Sequence, residues 1–512
     1  MLKTESYKKG LYFSTLLNIF AKGIAFINTL LVTYYFGSNA STDIYFYVLS
    51  VATLITTTIN GIDYLVLIPE GMRLRENESE KASQQFLNFF AWLYAGIGLL
   101  LSLAIVISPV LFFTFFSKFD VNHLRHDQNI LYIGSIIIVF QLLNNLLSAI
   151  LVSYKYFTIP IITGLINSCF AIGLTIIWHN KLGVTGTILG ISTGFVINFI
   201  MLLILMKRKL HWNFLKLYLV KSKLVWRNIG LMQLNILPVW VRNYLVIYLL
   251  SGLGTGIITS LNLGQMLALL PEVFILTQMA SVLGIKFSEL SARQHFTEAG
   301  NLLSNLVNSL FVLLLPIAIV MAVANRDIIT IVFQHGDFDK HSAATTAFCL
   351  FYFALLLPSK IYDVAFTRLF TSFQVYGLST LFAVIGHFII TVLTYFAIRQ
   401  FQLKGYFISM LIGYYLVMPL VFYLIMLYRF KEISRVRIIK NFLLMLLSLP
   451  ALVFVFSNFY ERLHFNIFIN IIILSIGSLI TVLLIANYTL DLKYFWHSVN
   501  QIRQKINSTF SG

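Results

Sequence analysis

Residues 86–116 read FLNFFAWLYAGIGLLLSLAIVISPVLFFTFF, a run without a single charged side chain. A helix needs roughly 20 apolar residues to cross the hydrocarbon core of a bilayer, and this run is longer. Comparable runs recur along most of the 512 residues, of which 59% are hydrophobic and only 11% are charged. Soluble domains carry about 25% charged residues. The chain is therefore predicted to be an all-α polytopic membrane protein with no separate globular domain.

The apolar runs predict about fourteen membrane-spanning helices. Their approximate limits are residues 11–36, 43–69, 86–116, 129–153, 157–179, 183–206, 228–251, 255–284, 302–324, 343–373, 376–398, 405–428, 439–459 and 466–489.

The basic residues of the chain indicate its orientation. There are 36 Lys and Arg residues against 19 Asp and Glu, which gives a net charge of +17. If the N-terminus is cytoplasmic, the inner loops hold roughly three times as many basic residues as the outer loops, as the positive-inside rule requires. We therefore expect a multi-pass membrane protein with both termini in the cytoplasm. The basic loops would face anionic lipid head groups, and no nucleic-acid partner is expected.

The most basic loop, residues 207–227, predicts how the chain is organised. It mixes Lys and Arg with Trp, Phe and Leu residues, a composition typical of an amphipathic segment in the membrane interface. We interpret it as a cytoplasmic linker between two six-helix halves, residues 1–206 and 228–428. Residues 429–512 then contain two extra helices and a cytoplasmic tail.

Short motifs indicate that the two halves are repeats. FFSKFD at residues 115–120 resembles FQHGDFD at residues 333–339, and two other motif pairs have nearly the same offset. Repeated halves are typical of transporters whose substrate site lies between them and whose access alternates.

Four ionisable residues lie deep inside apolar spans: Lys22, Asp63, Arg242 and Glu272. A charge at this depth costs at least roughly 2.5–3.5 kcal/mol, so a lipid-facing position is unfavourable. We expect the four to line a shared, hydrated cavity, which favours a transporter. The alternative is that they form structural ion pairs between helices without contacting a substrate.

The two acids among these residues suggest a second role. Buried carboxyl groups can bind and release protons, so Asp63 and Glu272 could bind a coupling ion, either H⁺ or Na⁺. Pro238 and Pro271 would also weaken the helical hydrogen bonding near Arg242 and Glu272.

Several local motifs resemble those of the MurJ/MviN family of lipid II flippases, part of the superfamily of polysaccharide flippases and multidrug extruders. These motifs are FGSNASTD at 36–43, NGIDYLVLIP at 60–69, SAIL at 148–151, FTIP at 157–160 and VFQHGDF at 332–338. The resemblance implies two six-helix bundles around a V-shaped cavity. It also implies that the two extra helices form a groove for a polyprenyl tail.

The family's cavity is lined with arginines, and this chain departs from that pattern. Lys22 stands at one arginine position and Asn28 at another. Where the family has an arginine pair and a glutamate on the second span, this chain has Thr57, Thr58 and Asn60. Gln265 and Met266 stand at a further arginine position on the eighth span.

These departures leave Lys22 and Arg242 as the expected cationic partners of a diphosphate. The predicted cavity set consists of Lys22, Asn28, Asn60, Asp63, Arg242 and Glu272. Asp43, at the outer end of the second span, either gates the cavity or interacts with its own helix dipole.

The sequence favours transport without enzyme chemistry. It contains no Walker motif, and no metal or other cofactor is expected because the outer-loop Asp and His residues match no metal-site spacing. The leading hypothesis is a bacterial inner-membrane flippase that moves an undecaprenyl-diphosphate-linked saccharide from the inner to the outer leaflet by alternating access. The alternatives are a cation-coupled extruder of amphipathic molecules and an inactive scaffold for envelope synthesis.

Overall fold

The computed structural model describes residues 7–216, 222–431, 433 and 435–490. Within these ranges the chain forms helices, turns and short connections, and no β-strand. The first ten helices are α1 (Tyr7–Phe36), α2 (Ala40–Ile62), α3 (Ile68–Asn77), α4 (Glu80–Ile107), α5 (Pro109–Phe116), α6 (Val121–His126), α7 (Gln128–Ser153), α8 (Ile159–Leu182), α9 (Val184–Leu210) and α10 (Lys223–Leu250).

The remaining helices are α11 (Ile257–Pro271), α12 (Thr277–Ala292), α13 (Phe296–Val323), α14 (Asn325–Phe333), α15 (Lys340–Leu356), α16 (Ser359–Ser372), α17 (Tyr376–Ile412), α18 (Met418–Arg429), α19 (Arg435–Tyr460) and α20 (Ile467–Thr489). Three π-helical turns interrupt long helices: Asp63–Leu67, Glu272–Leu276 and Gly413–Val417. We refer to them as the first, second and third π-turns.

The all-α polytopic class is confirmed, but the predicted count of about fourteen spans is not. The described residues contain 11 helical segments long and apolar enough to cross a membrane, or up to 12 if α15 and α16, bent by 44°, form one span. Residues Gly377–Arg429 count as one segment even though Gln402 has the non-helical angles φ 51° and ψ −133°. Helix α10 contributes the shorter apolar stretch Ile236–Leu250 and is not among the 11.

The helices group into two compact units. The first comprises residues 1–259 and 332–342, and the second comprises residues 260–331 and 343–512. This division is based on the contacts between residues, and it places α10 in the first unit. The predicted domain limits at residues 206, 228 and 428 and the V-shaped cavity stay predictions.

Helix α7 forms the centre of the first unit. It packs against α2, α4 and α9, and 61% of its apolar span is buried. Its side chains carry no charge, and Leu131, Leu146 and Leu151 are fully buried. The uncharged run that marks this helix in the sequence therefore builds protein core as well as membrane span.

Small residues allow α8 and α9 to pack closely. Gly186, Gly190 and Gly194 recur every four residues on one face of α9. A Cβ atom on Gly190 would lie 2.7 Å from the Ala171 Cα, and one on Gly194 would collide with the Asn167 backbone. Such small-xxx-small spacing lets helices pack backbone to backbone within membranes.

Helix α13 has the corresponding central place in the second unit. Its apolar span is 72% buried, and α12, α16, α19 and α20 pack against it. Asn441 Nδ2 on α19 donates a 2.6 Å hydrogen bond to Asn308 Oδ1 on α13. The two C-terminal helices are therefore joined to the second unit through α13.

The basic linker is only partly described. Residues 207–210 continue α9, residues 211–216 are non-helical, and residues 217–221 lie outside the described ranges. Asn88 Nδ2 on α4 donates hydrogen bonds to the carbonyls of Asn213 (2.7 Å) and Lys216 (2.9 Å), and Asn88 Oδ1 accepts one from Trp212 Nε1 (2.7 Å). The described part of the loop, residues 211–216, is therefore a strap bonded to α4, and the amphipathic character of residues 207–227 stays a prediction.

Candidate functional site

Asp63, predicted as a cavity residue, lies buried in the first unit at the start of the first π-turn. Its side chain is 0% exposed. Tyr94 on α4 donates its hydroxyl proton to Asp63 Oδ1 in a 2.7 Å hydrogen bond. Asp63 Oδ2 is buried and has no hydrogen-bond partner among the described residues. The bonded partner is thus a neutral tyrosine rather than a cation, which disfavours the ion-pair interpretation for Asp63.

A proline explains the π-turn at Asp63. Pro69 has no N–H to donate, and its ring crowds the carbonyl of Leu65, four residues earlier. The helix widens there, and the Ile68 N–H bonds to the Asp63 carbonyl, five residues back. The third π-turn has the same spacing, since Pro419 follows Gly413 by six residues. A proline six residues after Asp63 is therefore the sequence feature that could have predicted the π-turn there.

Glu272 also begins a π-turn, the second, and directly follows Pro271. Unlike Asp63, it is half-buried and lies in the second unit. The two acids predicted to bind a coupling ion therefore both begin a π-turn, but Asp63 is fully buried and Glu272 is half-buried.

The two predicted cations differ in a similar way. Lys22 is exposed on α1. Arg242 is 5% exposed on α10, and its Nη2 donates a 3.3 Å hydrogen bond to Asn243 Oδ1. Both lie in the first unit. Lys22 therefore lies on the surface of the first unit, whereas Arg242 is held within the protein.

Asn28 and Asn60, predicted to line the cavity, each carry a side-chain oxygen without a donor. Asn28 is 7% exposed and Asn60 is half-buried. In both, Oδ1 is buried and has no hydrogen-bond partner among the described residues. Buried polar atoms are normally paired, so unpaired acceptors call for an explanation.

Asp43 forms a dense cluster of hydrogen bonds near the start of α2, at the end of the first unit that the sequence predicts to face outward. Its own helix is capped by Asn39 and Thr42, so Asp43 is available for other partners. Asp43 Oδ2 accepts from Gly256 N at 2.6 Å. Asp43 Oδ1 accepts from Thr259 N and from Thr259 Oγ1, both at 2.7 Å. The carboxyl group, 0% exposed, thereby supplies an N-terminal cap to α11.

Close backbone contacts strengthen this outer end. Gly37 has φ +63°, and a Cβ atom there would collide with the Asp337 carbonyl. The Asp337 N–H donates to the Tyr34 carbonyl at 2.9 Å, and Ser38 Oγ donates to the Gly256 carbonyl at 3.2 Å. We call residues 34–43, 251–259 and 332–342 the outer clasp.

Tyr94 and Thr259 belong to these sites but were missed in the sequence. Tyr94 is the single tyrosine within the apolar run 86–116, and nothing in the local pattern distinguishes it from other tyrosines. Thr259 is far from Asp43 in the chain, so no local spacing pairs them.

An apolar cavity of about 260 Å³ lies in the second unit, between α16, the third π-turn, α18 and α19. Tyr362, Phe366, Leu420, Ile439 and Phe442 are among the residues that line it. The resemblance implied a groove formed by the last two helices. This cavity combines α19 with α16 and α18, and α20 contributes none of its lining. The groove implied for the last two helices stays a prediction.

These features define a class: a polytopic helical membrane protein with ionisable residues buried in its spans, the arrangement of a transporter. The chain belongs to the lipid II flippase MurJ family, whose sequence model matches residues 32–488. The family resemblance is thereby confirmed.

Individual relatives agree with this assignment. A curated protein of Borreliella burgdorferi (strain ATCC 35210 / DSM 4680 / CIP 102532 / B31), described as a probable lipid II flippase MurJ, is 23% identical over 382 residues, 70% of each chain. A solved structure described as lipid II flippase MurJ in an inward closed conformation matches with a TM-score of 0.72 and 19% identity, covering 95% of this chain and 99% of that one.

The fold is also shared with a multidrug transporter. An inward-facing structure of a MATE family transporter of the MOP superfamily matches with a TM-score of 0.59 and 14% identity, over 86% of this chain and 95% of that one. At these identities the structural matches establish the fold alone.

Proposed function

We propose that this chain is a flippase that moves lipid II, or a closely similar undecaprenyl-diphosphate saccharide, from the inner to the outer leaflet of the bacterial inner membrane. The observation that carries this proposal is the family match from residue 32 to residue 488. The chain would work as a transporter and not as an enzyme, with both termini in the cytoplasm.

The head group carries a diphosphate, which needs cationic partners in a space of low dielectric constant. Lys22 is the best-placed partner because its ammonium group is exposed on α1. Arg242, buried in α10, contributes a fixed positive charge. Asn28, Asn60, Asp63 and Glu272 complete the proposed substrate set.

The apolar cavity of the second unit suits part of the lipid tail. It is lined by aromatic and aliphatic side chains, and a prenyl chain would be transferred into it from lipid without exposing apolar surface to water. Such a cavity would hold the tail near the protein while the head group crosses.

Alternating access needs an outer end that can close and open. The outer clasp supports a closed state through the Asp43 carboxyl group, which accepts from three donors at the start of α11. We therefore assign Asp43 as the gate residue, and its role as a helix cap is the means by which it closes the gate. Release of this one carboxyl group would free Gly256 and Thr259 together.

The test uses purified chain in vesicles containing fluorescent lipid II and a membrane-impermeant quencher. We expect the chain to bring inner-leaflet lipid II to the quencher and to leave a labelled phospholipid in place. Translocation of lipid II no faster than in protein-free vesicles would overturn the proposal. Ion-gradient-driven export of an amphipathic dye in the same vesicles would instead favour the extruder, which shares the fold.

A further inference from the structure

Two unmatched acceptors lie one helical turn apart at the first π-turn. Asn60 Oδ1 and Asp63 Oδ2 are both buried without a donor among the described residues. Residues three apart are neighbours on a helix surface, so these side chains share one face. A proton on Asp63 Oδ2 would give this oxygen a hydrogen to donate, and Asn60 Oδ1 is a candidate acceptor on the same helix face.

The surroundings of Asp63 disfavour its charged form. A carboxylate withdrawn from water costs several kcal/mol unless a cation or several donors compensate. Asp63 is 0% exposed and accepts a hydrogen bond from one neutral hydroxyl, that of Tyr94. Asp43, on the same helix, shows the contrasting case of a buried carboxyl group with three donors.

Helices α2, α3, α7 and α10 pack against the first π-turn, and α4 supplies Tyr94. Their ionisable groups are Asp43, Tyr45 and Tyr47 on α2, Glu70, Arg73, Arg75 and Glu76 on α3, Glu80, Lys81 and Tyr94 on α4, Tyr132 on α7, and Lys223, Arg227, Arg242, Tyr244 and Tyr248 on α10.

None of the cations in this set is bonded to Asp63. The Arg73 side chain is held by Glu70 through hydrogen bonds of 2.7 and 2.8 Å. On α10, Ile236 is the residue that packs against Gly61, and Arg242 lies six residues further along. Within the described ranges, the residue that donates a hydrogen bond to the Asp63 carboxyl is Tyr94, a neutral phenol.

We propose that Asp63 is a proton-binding site that carries one proton on Oδ2 in this conformation. The proton comes from water, forms the Oδ2–H bond and points to the Asn60 oxygen, while Oδ1 keeps its hydrogen bond from Tyr94. Release of the proton leaves a carboxylate with one donor, so it requires water or a cation to enter at the π-turn. Proton loss is thereby linked to local opening of α2.

The surroundings of Asp63 differ from those of Glu272. Glu272 starts a π-turn as well, but it is half-buried and has interaction partners. Glu272→Gln is therefore a matched control, since it removes an acid at the same kind of backbone turn. The role of Asp63 in coupling depends on the proposed flippase function, whereas its binding of a proton does not.

Infrared difference spectroscopy of the full chain in lipid vesicles tests the proton directly. At neutral pH we expect a carboxylic-acid C=O band that shifts in heavy water, is lost in Asp63→Asn and persists in Glu272→Gln. In Tyr94→Phe the band should remain and move to higher frequency, because the carbonyl loses its hydrogen bond. This variant keeps the acid and so covers the case in which Asp63→Asn misfolds.

A missing band, or a band that survives Asp63→Asn, would overturn the proposal. Transport provides a separate measurement. If the native chain translocates lipid II faster under a proton gradient, Asp63→Asn should lose that acceleration. Persistence of the acceleration in Asp63→Asn would overturn the coupling role, and failure of the native chain to transport would leave the infrared result unchanged.

Discussion

At the scale of single residues, α2 carries two fully buried acids with different environments. Asp43 accepts from two backbone N–H groups and a hydroxyl, whereas Asp63 accepts from one hydroxyl and keeps a free oxygen. Donors stabilise a carboxylate, and their absence favours the acid. The same side chain therefore serves as a helix cap at the outer end of α2 and as a proton site further along.

Replacement of Asp43 by Asn tests the outer clasp. The amide NH₂ would face one of the N–H donors, so at least one bond is lost, and bonds to charged groups contribute about 1.5–3 kcal/mol each. We expect faster hydrogen exchange of residues 256–262 and a fall in translocation of roughly tenfold or more. Asp120→Asn is the control, because Asp120 caps the short outer helix α6 and is exposed. If hydrogen exchange at the start of α11 were unchanged in Asp43→Asn, the assignment of Asp43 as the gate residue would be wrong.

Lys22 offers a test of head-group binding that leaves the fold intact. Its ammonium group is exposed, so Lys22→Gln removes a charge without uncovering a buried partner. We expect thermal stability like that of the native chain and slower lipid II translocation, measured in the same vesicles. Lys181→Gln, an exposed lysine in the last turn of α8, is the control. Equal rates in Lys22→Gln and Lys181→Gln would remove Lys22 from the substrate site.

At the scale of elements, backbone geometry places the side chains that matter. Pro69 produces the first π-turn, which sets the position of Asp63 on α2, and glycines set the separation of α8 and α9. Asn88 fixes the start of the linker to α4.

The α8–α9 contact predicts a large effect of one methyl group. In Gly194→Ala the added Cβ would collide with the Asn167 backbone, which must move. Overpacking of this kind costs about 1–3 kcal/mol, so we expect a lower melting temperature in detergent. Gly173→Ala on α8, where a Cβ would meet open space, should not lower it. Equal melting temperatures of the two variants would disprove the close packing.

The linker strap makes a separate prediction. Asn88→Ala removes three hydrogen bonds, so residues 211–216 should exchange hydrogen faster and be cleaved more readily by protease. Gln85→Ala, one turn earlier on α4, should leave the strap protected. A strap that stays protected in Asn88→Ala would show that other contacts hold it.

The sequence predicted what depends on composition and local pattern. Helix limits such as Ile467–Thr489 lie close to the predicted span 466–489, because an uncharged run can only be buried in protein or lipid. Contacts between distant residues left no local signal, so the pairs Asp43–Thr259 and Asp63–Tyr94 were not foreseen. The span count differed where a helix bends, as at Gln402, since length and mean hydropathy do not record such features.

At the scale of the whole molecule, the family match and the fold agree over nearly the full chain. The departures lie in the charges. Lys22, Asn28 and Asn60 stand where the resemblance implied arginines or a glutamate, while Asp63 and Arg242 are buried in the first unit. We therefore propose that this flippase keeps the family's fold and binds its diphosphate cargo with fewer cations.

The most direct test of this account is leaflet-specific labelling of lipid-linked saccharides in cells after rapid depletion of the chain. We predict that labelled lipid II accumulates in the inner leaflet once the chain has been depleted. Re-expression of the native chain should restore the outer-leaflet pool, and re-expression of Asp43→Asn should not. An unchanged distribution of lipid II between the leaflets after depletion would contradict the central claim.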